Sequence, residues 1–469
     1  MAKIHLKIDT LHKKVEIPQL HPVQKIDISF KRIQQLALPA IIAGIAEPIL
    51  SLTDAAVVGN ISSFGTESLA AVGIVGTFLS SIIWVLAQTR SSISAIISQN
   101  LGAGKIDTLK SFPAQAILFN VVLSFIVLFS FYFFIDEILS LLQAKGLIFK
   151  LSIDYFDIRV WGFPLTLFTF AVFGIFRGFQ NTFWPMIVAA IGALTNIGLD
   201  FALVYGIEGL IEPMHVKGAA WASLISQFLM ALLALIFLLV KTDVSLKIKK
   251  VIHPEIRRLI TMSFNLFIRS VALNIALLLA VREATSLGKE YIAAHTIAIN
   301  LWLFSAFFLD GYGAAGNILG GRLLGAKKYK HLWKLTKRVN LYNIVISLLL
   351  ITVGLIFYKQ LGLIFNKDPI VLGIFYSVFS IVLISQPFNS LGFTFDAIFK
   401  GLGEMKFLRN ILIGSTFFGF IPTLLICNYY NLKLKGVWIA LIVWVAIRAL
   451  ALMVKYKNKY YKLAKDNRE

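Results

Sequence analysis

Long apolar segments separated by short polar ones are the dominant pattern of this chain. Each apolar segment approaches or exceeds the roughly 20 residues that a helix needs to cross a bilayer. The pattern predicts twelve transmembrane helices, at 34–59, 68–98, 112–135, 156–178, 184–206, 218–240, 259–286, 292–321, 337–358, 371–399, 407–428 and 435–454. Hydrophobic residues make up 58% of the sequence and charged residues only 15%, which is more apolar surface than a soluble core hides. We therefore predict an all-α integral membrane protein.

The charged residues are concentrated in the polar segments, and basic segments alternate with less basic ones. Lys and Arg cluster at 105–110, 247–258, 327–338 and 455–462, whereas the segments between these often hold acids. Because cytoplasmic loops carry the excess of Lys and Arg, the pattern predicts a multi-pass protein of the inner or plasma membrane with both termini in the cytoplasm. The N-terminal segment is polar and basic without an apolar core, so we do not expect a cleaved signal peptide.

The formal net charge of +21 is also compatible with a nucleic-acid-binding protein. The basic residues lie in short loops and tails, however, which is the distribution that orients membrane helices. No nucleic-acid partner is therefore expected. The one cysteine, Cys427, excludes an intrachain disulfide, and the seven histidines form no HExxH or similar pattern. We expect neither an enzyme active site nor a metal or other cofactor.

The two halves of the chain resemble each other at a constant offset of 223 residues. GAGK at 102–105 returns as GAKK at 325–328, Pro164 returns as Pro387, and GTESLAAVGI aligns with GKEYIAAHTI at the same offset. Each half holds six predicted helices, so both halves enter the membrane in the same direction. Such parallel repeats are related by an axis along the membrane normal.

The repeat predicts a two-lobe organisation in which the lobes face a central cleft and alternate access by rocking. The expected segments are a cytoplasmic N-terminal segment at 1–33, an N-terminal six-helix lobe at 34–240, a cytoplasmic linker at 241–258, a C-terminal six-helix lobe at 259–454 and a basic cytoplasmic tail at 455–469.

Acidic residues interrupt the first and fifth apolar segments, among others. A charged side chain at the centre of a membrane helix costs about 2.5 to 3.5 kcal/mol on insertion scales, so it predicts a functional site. Glu47 lies near the middle of the first helix, and Asp54 follows seven residues later on the same face. In the fifth helix, Asn196 and Asp200 are four residues apart and share a face. The alternatives are a structural hydrogen bond from Asp54 to a neighbouring helix and a structural partner for Glu47.

Five segments of the chain carry a pattern typical of one transporter family: ALPAIIAGIAEPILSLTDAAVVGN, RSSISAIISQNLGAGK, IRVWGFPLTLFTFAVFGIFRGFQNTFWPM, NIGLD and FDAIFKGLGEMKFLRN. They resemble the multidrug and toxic compound extrusion (MATE) family, and the similarity covers about 34–450. Within the family the chain most resembles the DinF-like branch, which is also similar to plant citrate exporters, in its Glu-Pro pair before Asp54, in LDGYGAAGNILGGRLLGA from Leu309, and in Asp396 of FTFDAIFKG. The resemblance implies a twelve-helix antiporter that exports an organic, drug-like and cationic solute in exchange for protons or sodium.

The resemblance also implies a cation or proton site in the N-terminal lobe. Relatives form it from an Asp of the first helix and an Asn and Asp of the fifth, and the matching residues are Asp54, Asn196 and Asp200. A hydroxyl of the sixth helix contributes in relatives, and Ser223 is the nearest match where Thr is usual. Burial disfavours the charged form of a carboxylate, and a second carboxylate nearby adds to the effect, so the chemistry suits a proton carrier.

Other residues are secondary candidates. Asp310 and Asp396 lie in motifs typical of the branch, and Pro39 matches a position where relatives bend in response to protonation, although a permanent kink explains it equally well. The tenth-helix acid of the NorM-like branch corresponds to Asn389, which argues against a sodium site in the C-terminal lobe. Lys400 is expected to snorkel to the interface. Four further charged residues are expected to form interhelical pairs or to line the cleft: Arg90, Arg269, Arg282 and Glu283.

The substrate is less determined than the fold. The expected partners are a small organic solute and membrane lipid, and the expected functional unit is a monomer. Two other transport functions remain open, namely a flippase for lipid or lipid-linked sugar, which would usually carry fourteen helices, and an exporter of citrate-like organic anions. Aromatic residues make up 13% of the chain and suit either flat cations in a cleft or lipid packing.

Overall fold

The chain is almost entirely helical. A computed structural model describes residues 26–61, 64–248 and 251–466, and within these ranges it contains helices, loops and one isolated β-bridge between Ile207 and Ile211.

The α-helices are α1 (Phe30–Gly59), α2 (Gly65–Leu86), α3 (Thr89–Gly102), α4 (Phe112–Tyr132), α5 (Ile135–Leu141), α6 (Gly146–Arg159), α7 (Gly162–Gly178), α8 (Phe183–Val204), α9 (His215–Lys241), α10 (Pro254–Ser286), α11 (Lys289–Gly325), α12 (Tyr329–Phe365), α13 (Pro369–Leu402), α14 (Met405–Ser415), α15 (Ile421–Tyr429), α16 (Lys433–Tyr456) and α17 (Lys462–Asp466). A 3₁₀ turn at Ile106–Leu109 precedes α4, and π-helical turns at Thr416–Phe420 and Lys457–Tyr461 precede α15 and α17.

The number of long apolar helices agrees with the hydrophobic pattern. Nine helical segments of the described chain are long and apolar enough to cross a membrane, and two bent helix pairs raise this number to eleven. The remaining predicted span, 34–59, falls within α1. The predicted all-α membrane architecture is confirmed, and twelve spans fit it.

Two helical spans bend at corresponding places in the internal repeat. The axes of α6 and α7 differ by 45°, and α13 bends by 48° between its halves Pro369–Ile384 and Gln386–Leu402. Pro164 and Pro387 each lie just after the bend. Proline removes the hydrogen bond to the residue four positions earlier, and its ring clashes with that carbonyl group. The bends therefore follow from two prolines separated by the repeat offset.

The chain packs as two compact units. The first unit contains 45–93 and 104–257, and the second contains 27–44, 94–103 and 258–466 among the described residues. The beginning of α1 and residues 94–102 of α3 thus pack with the second unit, although both precede the first unit's later helices in sequence. The lobe boundaries 34–240 and 259–454, which follow the chain rather than its packing, stay a prediction.

Small residues allow α8 and α9 of the first unit to approach closely. A Cβ atom at Gly192 would lie 2.3 Å from the Met230 side chain, and one at Gly218 would lie 2.5 Å from the Leu203 carbonyl oxygen. Glycine and alanine at helix interfaces let backbones approach within a membrane. The close approach brings polar side chains in the middle of both helices within hydrogen-bonding distance.

Two segments of the second unit meet at corresponding positions of the repeat. Ser94 in α3 donates a hydrogen bond to Asn317 Oδ1 in α11 at 3.1 Å, and these residues are 223 positions apart. Ser98 Oγ likewise lies against Gly321, its counterpart, where a Cβ atom would come within 2.2 Å. Contacts between counterparts are expected where a local two-fold axis passes between two helices.

The same crossing contains two reciprocal backbone contacts. A Cβ atom at Gly102 would lie 1.9 Å from the Arg322 carbonyl oxygen, and one at Gly325 would lie 1.9 Å from the Gln99 carbonyl oxygen. These two contacts are exchanged by the repeat offset, which confirms the local two-fold relation of α3 and the end of α11. Because the opposing atoms belong to the backbone, a side chain could not relieve either contact by rotating away.

Substitution at this crossing should be destabilising. We expect Gly325→Ala to lower the free energy of unfolding by about 1 to 3 kcal/mol, the usual cost of overpacking. Gly320→Ala, in the same helix, is the matched control, because its Cβ would meet only Leu332 at an ordinary distance of 3.7 Å. The measurement is the thermal unfolding midpoint of the purified variants in detergent. Equal midpoints for the two variants would contradict a tight crossing.

Candidate functional site

Four helices of the first unit contribute polar side chains to one buried cluster. Asp54 Oδ2 in α1 accepts a hydrogen bond from Ser223 Oγ in α9 at 3.0 Å, and Asn196 Nδ2 in α8 donates to the same Ser223 Oγ at 3.3 Å. Tyr155 in α6 donates from its hydroxyl group to Asp54 Oδ2 at 3.4 Å. Together with Asp200 these residues are called the Asp54 cluster below.

Asp200 is the least solvated member of the Asp54 cluster. It lies one helical turn after Asn196 in α8, its side chain is fully buried, and it lies within electrostatic reach of Asp54. Both of its carboxylate oxygens lack a hydrogen-bond donor, as do Asp54 Oδ1 and Asn196 Oδ1. Buried acceptors without a donor are costly. The two carboxylates are therefore suited to bind a proton, and the four oxygens together are suited to ligate a cation.

The framework around the Asp54 cluster holds α1 against α8. Tyr205, directly after α8, donates a hydrogen bond from its hydroxyl group to the Val57 carbonyl oxygen in α1 at 2.7 Å. Val58 and Val204 are fully buried in the apolar core that packs beside these contacts. The relative position of Asp54 and Asp200 is thus set by this packing and by the hydrogen bond between Tyr205 and Val57, each of which follows one of the two acids in sequence.

The structure brings four of the predicted site residues together and adds one. Asp54, Asn196, Asp200 and Ser223 lie in one cluster, as the resemblance implied. Tyr155 was not predicted, because no local motif marks it and its segment is rich in charged residues. The Glu47 side chain lies outside the described residues, although its backbone is part of α1. Pro39 lies within α1, and the proposed bend there stays a prediction.

Asp396 lies in a second buried cluster, in the second unit. Its Oδ1 accepts from Arg269 Nη2 at 2.5 Å and lies 4.0 Å from Arg448 Nη2, and its Oδ2 pairs with Lys400 Nζ at 2.9 Å. All four side chains are at least nine-tenths buried. We call these residues the Asp396 cluster. The expectation that Lys400 snorkels to the interface was wrong, because the carboxylate one helical turn earlier holds its ammonium group inside the protein.

The two secondary acidic candidates, Asp310 and Asp396, lie in different surroundings. Asp396 is paired with cations, whereas Asp310 is exposed and forms no ion pair among the described residues. Arg269 forms an interhelical pair, as expected. Arg448 was missed, although a single Arg in the last apolar span is itself a signal of an intramembrane functional residue.

The remaining charged candidates lie elsewhere. Arg90 lies over the Phe170 ring at 5.4 Å, Glu283 accepts a hydrogen bond from Asn428 at 2.8 Å, and Arg282 is exposed. Asn389 donates to Ser385 Oγ at 3.1 Å. Within the part of the chain that the structure describes, no group of three or more His, Cys, Asp or Glu side chains is arranged to hold a metal ion.

Comparisons with known proteins agree with the fold. The MatE family model matches residues 39–202 and 266–425. The chain is 25% identical to Protein DETOXIFICATION 42 of Arabidopsis thaliana, over 91% of this chain and 92% of that protein. It is also 25% identical to the DNA damage-inducible protein F of Escherichia coli K12, over 92% and 93% of the respective chains.

Solved structures show the same architecture. A multidrug resistance MATE family transporter of the MOP superfamily, solved in an outward-facing conformation, superimposes with a TM-score of 0.84 at 21% identity and covers 99% of this chain and 100% of that chain. The family model covers well over half of the sequence in two segments, one in each half. The chain therefore belongs to the MatE family of multi-pass membrane transporters, the multidrug and toxic compound extrusion proteins.

Proposed function

We propose that this protein is a proton-coupled antiporter that exports organic solutes by alternating access, with the Asp54 cluster as its proton site. The observation that carries the proposal is the pair of buried carboxylates, Asp54 and Asp200, with three oxygens that no donor reaches. Two adjacent buried carboxylates are strongly disfavoured when both are ionised. A proton held by the pair removes that repulsion and supplies a missing donor.

The geometry supports a link between proton binding and the packing of α1 against its neighbours. Asp54 contacts α6 and α9 through Tyr155 and Ser223, so the charge on Asp54 changes the free energy of those contacts. If the packed arrangement binds the proton more tightly than an opened one, then opening releases the proton, because binding and conformation are reciprocally linked. Solute export can be driven in this way by a proton gradient.

Sodium is the second candidate ion. The unpartnered oxygens of Asp54, Asn196 and Asp200 are acceptors of the kind that hard cations prefer. The hydroxyl donors of Ser223 and Tyr155 already point toward Asp54, and this favours a proton, because a cation would compete with them. We propose no cofactor beyond the coupling ion. A lipid flippase is less favoured, since it would usually carry fourteen spans rather than twelve.

The test is a proteoliposome assay with the purified chain. An imposed proton gradient should drive the transport of ethidium, and a sodium gradient of equal size should not. Transport driven by sodium alone would identify sodium, and not the proton, as the coupling ion. Transport without any gradient would refute antiport. Protein-free liposomes carrying the same gradients control for leakage of the dye.

We further propose that both termini face the cytoplasm of the plasma or inner membrane, that one chain is the functional unit, and that its partners are the solute and membrane lipid. Orientation is testable because Cys427, the one cysteine, is buried and replaceable. In a Cys427→Ser background, Glu212→Cys should react with an impermeant maleimide added to intact cells, and Lys247→Cys should react only after lysis. The opposite pattern would invert the topology.

A further inference from the structure

The Asp396 cluster contains more positive than negative charge. Arg269 from α10, Lys400 from α13 and Arg448 from α16 converge on the single carboxylate of Asp396. No other acidic side chain of the described chain is ion-paired with these three cations. If Lys400 were neutral, one positive charge would still be uncompensated, because a guanidinium group stays protonated in proteins.

Surplus charge of this kind is costly in a buried site. Removing an ion from water is compensated only by close opposite charge and by hydrogen bonds to its remaining donors. Asp396 offers two oxygens, and Arg269 and Lys400 occupy them at hydrogen-bonding distance. Arg448 lies 4.0 Å from the nearer oxygen, too far for a hydrogen bond.

Two buried guanidinium groups also have N–H donors that no acceptor reaches. Arg269 Nε is buried and has no hydrogen-bond acceptor, although the guanidinium group pairs with Asp396 through Nη2. Arg448 donates no hydrogen bond to any described residue, and its guanidinium carbon lies 4.9 Å from the centre of the Trp444 ring. Arginine donors match the acceptor geometry of carboxylate and phosphate groups.

The Trp444 ring lies against the guanidinium group of Arg448 and orients it. Trp444 is fully buried and donates a hydrogen bond from its ring nitrogen to Thr416 Oγ1 at 3.0 Å, at the start of the π-helical turn Thr416–Phe420. A ring held in this way stabilises the guanidinium through a cation-π contact without using any of its N–H donors. These donors are therefore available to a ligand.

We propose that the Asp396 cluster is a binding site for an oxyanion, a carboxylate or phosphate group held by Arg448 and Arg269 beside Asp396. One bound anion lowers the charge surplus and accepts the hydrogen bonds that Asp396 cannot accept. The anion is either part of a carried solute or the headgroup of a lipid. In the first case the site extends the proposed function, on which that part rests, to solutes that bear an anionic group.

The internal repeat supports a specific role for this cluster. The residues 223 positions before Arg269, Asp396 and Arg448 are Ala46, Phe173 and Ile225, so three of the four charges have no counterpart in the first half. The Asp54 cluster is acidic and the Asp396 cluster is cationic. One half of the chain thus carries a site suited to a proton, and the other carries a site suited to an anion.

The experiment measures binding to the purified full chain in a neutral detergent, with no gradient. The probe is carboxyfluorescein, followed by fluorescence anisotropy and displaced by inorganic phosphate. Wild-type protein should bind it, and Arg448→Met should weaken binding by about ten- to a hundredfold, the range expected for a lost charged hydrogen bond. Lys455→Met in the same helix is the matched control, because it removes the same charge from an exposed residue and should leave binding unchanged.

A second arm identifies the source of the anion. Native mass spectrometry should compare retention of phosphatidylglycerol and phosphatidylcholine by the wild type, Arg448→Met and Lys455→Met. Loss of phosphatidylglycerol in Arg448→Met alone would assign the site to a lipid headgroup. Loss of carboxyfluorescein binding alone would assign it to a solute.

The outcomes separate this proposal from the proton site. Asp54→Asn should bind carboxyfluorescein as the wild type does, because the Asp54 cluster takes no part in anion binding. If the wild type binds neither carboxyfluorescein, phosphate nor phosphatidylglycerol, the anion site is refuted, whether or not the variants fold and whether or not protons drive transport. Binding that is equal in Arg448→Met and Lys455→Met, with monodisperse protein in both, would refute it as well.

Discussion

Asp54→Asn is expected to abolish proton-driven export while leaving the protein folded and inserted. Asparagine has nearly the shape of aspartate, and its carbonyl oxygen can still accept the hydrogen bond from Ser223. It cannot bind and release a proton in the physiological range. The variant therefore keeps most of the packing around α1 and loses the proton cycle. The measurement is gradient-driven ethidium transport in proteoliposomes, at equal protein content.

Two further variants define the coupling unit. Asp200→Asn should lose transport likewise, and the double variant should lose little more, because residues that act as one unit are non-additive. Asp107→Asn is the matched control, since Asp107 is exposed and pairs only with Lys110 on the surface. Wild-type transport by Asp54→Asn would exclude Asp54 as the coupling residue and leave Asp310 as the next acid to test.

Sodium-driven transport in Asp54→Asn would show whether protons and sodium use the same site. If the variant loses proton-driven transport and retains sodium-driven transport, the two ions use different sites and the Asp54 cluster serves the proton alone. If both are lost together, one site carries either ion. The binding assay for the Asp396 cluster is unaffected in each case, because it uses no gradient.

The membrane architecture and much of the Asp54 cluster could be predicted from the sequence. Spans of 20 apolar residues are long enough to be recognised without tertiary information. Asp54 and Asp200 stand out because an acid in such a span is energetically costly, and the family resemblance adds Asn196 and Ser223. What the sequence could not provide is that the helix carrying Tyr155 also reaches this site, since Asp54 and Tyr155 are 101 positions apart.

Tyr155 shows why part of the Asp54 cluster was missed. It lies in α6, where Asp154, Asp157 and Arg159 interrupt the apolar pattern, so the predicted span began only at residue 156. The structure shows that the helix Gly146–Arg159 continues the span of α7 after a 45° bend. The proline signal for this bend was visible in the sequence, but the continuation of the helix before it was not.

Lys400 shows a different limitation. Its position near a helix end predicted snorkelling, yet Asp396 lies four residues earlier, a spacing that places the two side chains on one helix face. That local signal was available and points to an ion pair. The contributions of Arg269 and Arg448 depend on the packing of α10 and α16 against α13, which only the folded chain shows.

Asp396→Asn is expected to be strongly destabilising. It leaves three buried cations without a carboxylate, and breaking a buried ion pair by removing one partner typically costs about 3 to 5 kcal/mol. We expect the variant to be depleted from the membrane and to unfold at a clearly lower temperature in detergent. Asp310→Asn, which removes an exposed acid from α11, is the control and should have the membrane abundance and the unfolding temperature of the wild type.

Removing a cation together with the acid should recover part of this loss. In Asp396→Asn/Arg269→Met the carboxylate and its closest guanidinium are both absent, so the buried charge surplus is smaller than in the single Asp396 variant. A double-mutant cycle should therefore give a favourable coupling free energy between the two residues, of about 1 kcal/mol or more. Additive losses would show that Asp396 stabilises the unit through something other than the charge of Arg269. Unchanged stability of Asp396→Asn would mean that the three cations are neutralised by other groups, and an anion already bound among them, such as a retained phosphatidylglycerol headgroup, would then be the first group to identify.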